Sequence, residues 1–211
     1  MKKIVPALLL VSIAFLGYAQ PKLGLIVGPS LSMNQVKYID DGNFDYSNDG
    51  AAFKFRFGLE ADFMLSETYA FSTGAIFAPK RAGFSINPTD GSAPSTQDYK
   101  VHYLQLPVTL KLFTSEIQPD LKLFFQLGFK GEIKLFDEPF KEDYDLIEKF
   151  HLFDCSFTGG VGVEYGAGIN TVLFGGIFYD RGLVNIVKSS IADNSLTSKM
   201  HTLDLKLGLK F

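Results

Sequence analysis

Apolar residues recur at every second position over 51–65. Ala51, Phe53, Phe55, Phe57, Leu59, Ala61, Phe63 and Leu65 hold the odd positions, with Lys54, Arg56, Gly58, Glu60 and Asp62 between them. A helix would scatter these side chains around its circumference, whereas a strand sorts them onto two faces. The same period returns at 121–135, where Leu121, Leu123, Phe125, Leu127, Phe129, Ile133 and Leu135 alternate with Lys122, Gln126, Gly128, Lys130, Glu132 and Lys134. It returns again at the end of the chain, where Leu203, Leu205, Leu207, Leu209 and Phe211 alternate with Thr202, Asp204, Lys206, Gly208 and Lys210. Weaker versions run through 22–34, 69–84, 99–114 and 150–165, and 170–181 is apolar on both parities, which leaves its facing open. Eight strands follow from this pattern.

The connections alternate between short and long. Ser66–Thr68, Ser115–Pro119 and Gly166–Ile169 are short; 35–50, 85–98, 137–149 and 182–198 are long and rich in Asp, Asn, Ser and Gly. In an up-and-down barrel all the short turns fall at one rim and all the long loops at the other, as in outer-membrane barrels.

Side-chain size chooses the inner face. Gly24, Gly28, Gly58, Gly74, Gly128, Gly160, Gly162 and Gly208 share parity with the charged residues, while the bulk of Phe and Leu lies on the other face. An eight-stranded barrel has an interior barely wide enough for side chains. Phe53, Phe55, Phe57, Phe63, Phe125, Phe129, Phe153 and Phe157 are therefore expected to point outward. Such a wall exceeds the apolar patch a soluble monomer tolerates, roughly a few hundred Å2, but is suited to lipid. The expected architecture is all-β, an eight-stranded antiparallel up-and-down transmembrane β-barrel. Pro107, inside a strand of a closed sheet, predicts a bulge or kink there.

The N-terminus adds an address. Lys2 and Lys3 precede an apolar run from Ile4 to Leu16 and then Gly17-Tyr18-Ala19, the plan of a secretory signal peptide cleaved after Ala19. The run is shorter than the about 20 residues a membrane-spanning helix needs. The domain reading is a signal peptide over 1–19 and an outer-membrane barrel over 20–211. Losing Lys2 and Lys3 leaves 18 basic against 23 acidic residues, no footprint for nucleic acid. One cysteine excludes a disulfide framework and a thiolate zinc site.

Candidate chemistry centres on the lumen. Lys54, Arg56, Glu60, Asp62, Lys122, Lys130, Glu132, Asp154, Glu164, Asp204 and Lys206 are expected to point inward and pair across the interior as a plug, because unpaired buried charge is expensive; the competing reading is a charge-lined conduit. His102, His151 and His201 begin non-neighbouring strands, which favours interface-level rings over a metal site. Asp40, Asp41, Asp45 and Asp49 mark the first long loop, and Asp137, Glu138, Glu142, Asp143, Asp145 and Glu148 the third. Asp41, Asn43 and Asp45 have calcium-loop spacing, but Tyr46 stands where glycine is needed and no glutamate closes the loop. A looser calcium contact, or bridging to lipid phosphates, is the alternative to solvated loops. Cys155 reads as a small apolar filler on the outward face. No histidine has a catalytic partner motif, so no enzyme, cofactor or metal is expected.

The same residues resemble the PorT-like outer-membrane β-barrel family of Bacteroidota. The similarity lies in the glycine-punctuated opening Lys22–Ser32, the Tyr103-Leu-Gln-Leu-Pro-Val-Thr-Leu-Lys111 strand, the glycine-rich stretch from Asp154 through Gly159–Tyr165, and Tyr179–Asn185 with Leu207–Phe211. The resemblance implies fold and location more than activity; the family's namesake takes part in type IX secretion and gliding. The expected function is a structural or interaction barrel in outer-membrane lipid, monomeric, its loops meeting envelope proteins or glycans. The alternatives are an accessory component of a secretion or gliding apparatus and a soluble periplasmic ligand-binding barrel.

Overall fold

The computed structural model describes residues 21–38, 44–89, 91–190 and 196–211. The export segment and its cleavage site lie outside the described residues, as do Asp40, Asp41 and Asn43. The described residues form eleven strands: β1 (Lys22–Tyr38), β2 (Phe44–Asn48), β3 (Ala51–Met64), β4 (Tyr69–Pro88), β5 (Ser95–Gln118), β6 (Leu121–Pro139), β7 (Ile147–Phe150), β8 (Phe153–Gly166), β9 (Val172–Gly182), β10 (Val187–Ser190) and β11 (Leu196–Lys210). Eight of them close an antiparallel ring in the order β1-β3-β4-β5-β6-β8-β9-β11, and β1 rejoins β11 from Gly24↔Lys210 to Tyr38↔Leu196. Closure pairs each of these eight strands on both sides, as hydrocarbon demands.

The short connections are tight turns at the end that also holds Pro21 and Phe211. Ser66 Oγ accepts hydrogen bonds from the N–H groups of Thr68 (3.2 Å) and Tyr69 (3.1 Å). Asp120 turns the β5–β6 hairpin at φ 63°, a left-handed conformation that aspartate tolerates better than most residues. At the other end the long connections are more ordered than a loop reading implies. Residues 85–98 are mostly hairpin, since β4 runs to Pro88 and β5 starts at Ser95. β2 pairs with the β4 extension, and β7 pairs with β10 as a separate two-stranded sheet.

The pleat faces as its composition predicts. Phe55, Phe57 and Phe125 are 60%, 58% and 48% exposed on the outer wall, while Arg56 and Lys130 are 2% and 3% exposed inside. The soluble periplasmic barrel is thereby excluded: its greasy face is outside and its interior is full.

Pro107 departs from the sequence reading, and two details go beyond it. Pro107 causes no bulge; the β4–β5 register is the same on both sides of it, at Thr73↔Val108 and Ile76↔Gln105. The β5–β6 register shifts elsewhere: between His102↔Phe136 and Tyr103↔Lys134, where β6 carries one extra residue, and twice toward the short turn, between Phe113 and Gln118. Phe124, Phe174 and Phe178, which the parity argument did not assign to the outer wall, point into the barrel. Lastly, the facing of 170–181 is resolved: Phe174, Phe178 and Asp180 are inward, while Leu173, Ile177 and Tyr179 are outward.

Candidate functional site

The lumen is built in layers, each from inward positions of facing strands. Nearest the long-loop rim, Lys80 Nζ lies 2.5 Å from Glu132 Oε2, and Glu132 Oε1 accepts from Gln105 Nε2 and Ser156 Oγ, each at 3.0 Å. The Lys80 ammonium also sits 5.0 Å over the Tyr103 ring. In the middle, Arg56 pairs with Asp204 and reaches Asp180 at 3.7 Å, while Lys130 meets Asp180 at 2.5 Å. Thr158 and Thr202 donate to the same pair of carboxylates. Toward the short-turn end, Glu60 binds Lys206 (2.6 Å) and Lys111 (3.0 Å), Lys111 continues to Asp62 (2.9 Å), and Lys210 joins Asp62 to Glu164.

Six cations (Arg56, Lys80, Lys111, Lys130, Lys206, Lys210) thus face seven carboxylates (Glu60, Asp62, Glu132, Asp154, Glu164, Asp180, Asp204). Near-neutrality is what the low dielectric requires, since each uncompensated ion would cost several kcal/mol, on the order of the protein's whole stability.

Of the residues expected here, Arg56, Glu60, Asp62, Lys130, Glu132, Asp154, Glu164, Asp204 and Lys206 are in the lumen. Two expectations are corrected. Lys122 has the inward parity but lies at the short-turn rim, 41% exposed and 3.7 Å from Glu116, because β6 begins there and water reaches it. Lys54 is only half-buried and forms no ion pair with a described residue. Lys80, Lys111, Asp180 and Lys210 belong to the network although sequence reasoning passed over them as site residues. Lys210 alternates visibly with Leu209 and Phe211, and Lys111 keeps the parity of Tyr103, so both signals were present.

The inward phenylalanines explain the inward glycines. A Cβ at Gly162 would strike Phe124, one at Gly160 would strike Phe178, and one at Gly208 would strike Phe174. These rings in turn carry cations: Lys111 Nζ is 4.8 Å above Phe124, Lys206 Nζ 4.2 Å above Phe178 and Lys210 Nζ 4.6 Å above Phe174. Gly162→Leu should therefore destabilise the barrel by about 1–3 kcal/mol through overpacking. Gly131→Ala, whose new methyl would meet only the Leu106 carbonyl at 4.0 Å, should not. Urea titration in lipid vesicles, read by gel mobility of the folded form, checks both.

Above the ions an apolar cap closes the external mouth. Phe84, Tyr99, Val101 and Tyr103 of the β4–β5 wall pack with Leu146, Ile147 and Phe150 of the third connection and Ile186 and Val187 of the fourth. The Tyr99 hydroxyl accepts from Ile147 N–H at 3.0 Å and donates to Gln97 at 2.8 Å. Burial in this cap pushes the phenol up to about 12.

Several of the remaining candidates have structural partners. His102 stacks between Phe77 and Phe136, with ring centroids 5.7 and 4.1 Å away, and His201 stacks on Tyr179 and shares a 3.0 Å hydrogen bond with its hydroxyl. His151 is exposed, its N–H donating to the Ile186 carbonyl at 2.8 Å. Asp137 pairs with Lys134 at 2.5 Å, Asp49 with Arg81 at 2.6 Å, and Asp145 accepts from Gln97 at 3.2 Å. Cys155 is half-buried. No group of three or more potential metal ligands occurs among the described residues.

Residues 18–188 match the outer membrane protein beta-barrel domain family. No curated protein matches the chain significantly. Among solved structures, Neisserial surface protein A is 16% identical, with 88% of this chain and 95% of that one covered and a TM-score of 0.43. The attachment invasion locus protein Ail of Yersinia pestis is also 16% identical, covering 91% and 99%, with a TM-score of 0.40. The outer membrane protein AlkL, solved in lipid bilayers, is 16% identical, covering 92% of each chain, with a TM-score of 0.47. The closed ring, its lipid-facing aromatic wall and the family match over most of the chain agree: the protein belongs to the outer membrane protein beta-barrel domain family and resides in the outer membrane.

Proposed function

We propose that this barrel is a non-conducting, non-enzymatic scaffold that holds its external hairpins for recognition of envelope proteins or glycans. The single observation that supports this reading is the filled interior, with ion pairs in the middle and an apolar cap at the mouth. An aqueous conduit would need its charges hydrated and facing free space; here each lumen cation is held by a carboxylate. His102 and His201 are held in ring stacks at separate walls, and His151 stands exposed at the rim, so none is placed to serve a nucleophile as base. Recognition then falls to the connections, which a rigid sheet holds in place.

Purified protein in planar bilayers should show no steady conductance. A stable, large, voltage-insensitive current would refute the plug. A second reading, an accessory component of type IX secretion and gliding, draws support from the PorT-like resemblance, chiefly the Tyr103–Lys111 strand. Affinity purification from native envelopes separates the two: recovery of secretion-apparatus subunits in stoichiometric amounts would favour the second.

A further inference from the structure

The outer wall formed by β8, β9, β11 and β1 carries an unusual pair of cavities, one above the other. The upper, of about 600 Å3, is lined by Gln35, Lys37, Arg181, Thr197, Lys199 and His201 among others. Strand register assembles it: Phe157, Arg181, His201 and Met33 lie in one row across four strands, with Lys199 and Gln35 in the row above and Thr197 and Lys37 beyond. Its lining contains no carboxylate, and Lys37, Arg181 and Lys199 make no ion pair with any described residue.

The β4–β5 wall is different. There Arg81 is neutralised by Asp49 at 2.6 Å and Asp98 at 2.5 Å. On the β1, β9 and β11 wall, Lys37, Arg181 and Lys199 have no such partner among the described residues.

Below the upper cavity, on β1, β9 and β11 with Phe53 of β3, a second cavity of about 270 Å3 is lined mainly by Pro29, Leu31, Phe53, Ile177, Leu203 and Leu205. Leu203 is two residues below His201 on β11, and Ile177 two below Tyr179 on β9, so one pleat repeat of about 7 Å separates the polar cavity from the greasy one. Tyr179 and His201, stacked together, mark the level between them, where aromatic girdles meet the membrane interface.

We propose that this paired site binds one phosphorylated glycolipid of the outer leaflet, its phosphate among Arg181, Lys199 and Lys37 and an acyl chain in the groove below. The cations match a phosphate, Arg181 by bidentate hydrogen bonding. The apolar groove beneath commits the ligand to a lipid rather than a soluble anion.

The test uses the full barrel in phosphatidylcholine nanodiscs doped with bisphosphorylated lipid A or with the same lipid stripped of its phosphates. Native mass spectrometry reads the fraction of barrel that keeps one such lipid. The wild type should retain the phosphorylated form preferentially. The double variant R181Q/K199Q should lose about 25-fold in that preference, at about fivefold per removed charge, while K100Q on the β5 wall leaves it unchanged. Heat-modifiable gel migration verifies that each variant is folded. Equal retention of both lipids by the wild type overturns the proposal, and so does an undiminished preference in the double variant. Displacement by inorganic phosphate alone overturns the lipid assignment.

Discussion

Replacing Glu60 with glutamine should lower the unfolding free energy by about 3–5 kcal/mol, the cost of leaving a buried ion without its partner. Glu60 is fully enclosed and holds Lys206 at 2.6 Å and Lys111 at 3.0 Å on its two oxygens. Once the carboxylate is gone, Lys111 retains Asp62, but Lys206 keeps only uncharged partners, Gln126 at 3.3 Å and the Phe178 ring. Lys206 is the stranded charge. Removing it as well, in the double variant E60Q/K206M, should recover most of the loss, because the methionine stem can still lie on the Phe178 ring and no ion is left alone. Urea unfolding in vesicles of the two single variants and the double gives the coupling energy. Additive losses in that cycle would contradict the ion-pair account.

The second large effect concerns the outer wall. Phe57 lies near the middle of β3, flanked by Val27 on one side and Phe77 on the other, all facing lipid. Phe57→Arg should cost about 2–4 kcal/mol, the depth-dependent penalty for a cation near the bilayer midplane. Leu65→Arg, at the short-turn rim and 65% exposed, should cost about 0–1 kcal/mol by the same scale. Equal costs at the two positions would remove the membrane placement of this wall.

Much of this was legible in the chain because a strand's period is short and its two faces meet different solvents. Arg56 between Phe55 and Phe57 can face only one way in a narrow barrel. The same logic stops at strand ends, where water relaxes the rule: Lys122 obeys the inward parity and is still solvated. It also weakens where both parities are apolar. Nothing in Leu173-Phe174-Gly175-Gly176-Ile177-Phe178 tells that both phenylalanines are inside, because the answer depends on Gly160 and Gly208 clearing room for Phe178 and Phe174 from neighbouring strands. The external cap was invisible for a related reason. Leu146, Ile147, Ile186 and Val187 are brief apolar stretches in polar connections, and only the paired β7 and β10 bring them together over the mouth. The role of Pro107 was misjudged because a missing N–H weakens a ladder without having to shift its register.

The β1–β11 seam has a consequence for biogenesis. Lys206 and Glu60 are 146 positions apart in the chain, and Lys210 and Asp62 are 148 apart. These bonds form only when the last strand comes home to the first. Until that moment the acids of β3 and the lysines of β11 need water, which an open, half-inserted sheet can still provide. Zipping the seam expels that water and satisfies both sets at once, so the final docking step works as a latch that rewards complete cylinders and penalises truncated ones.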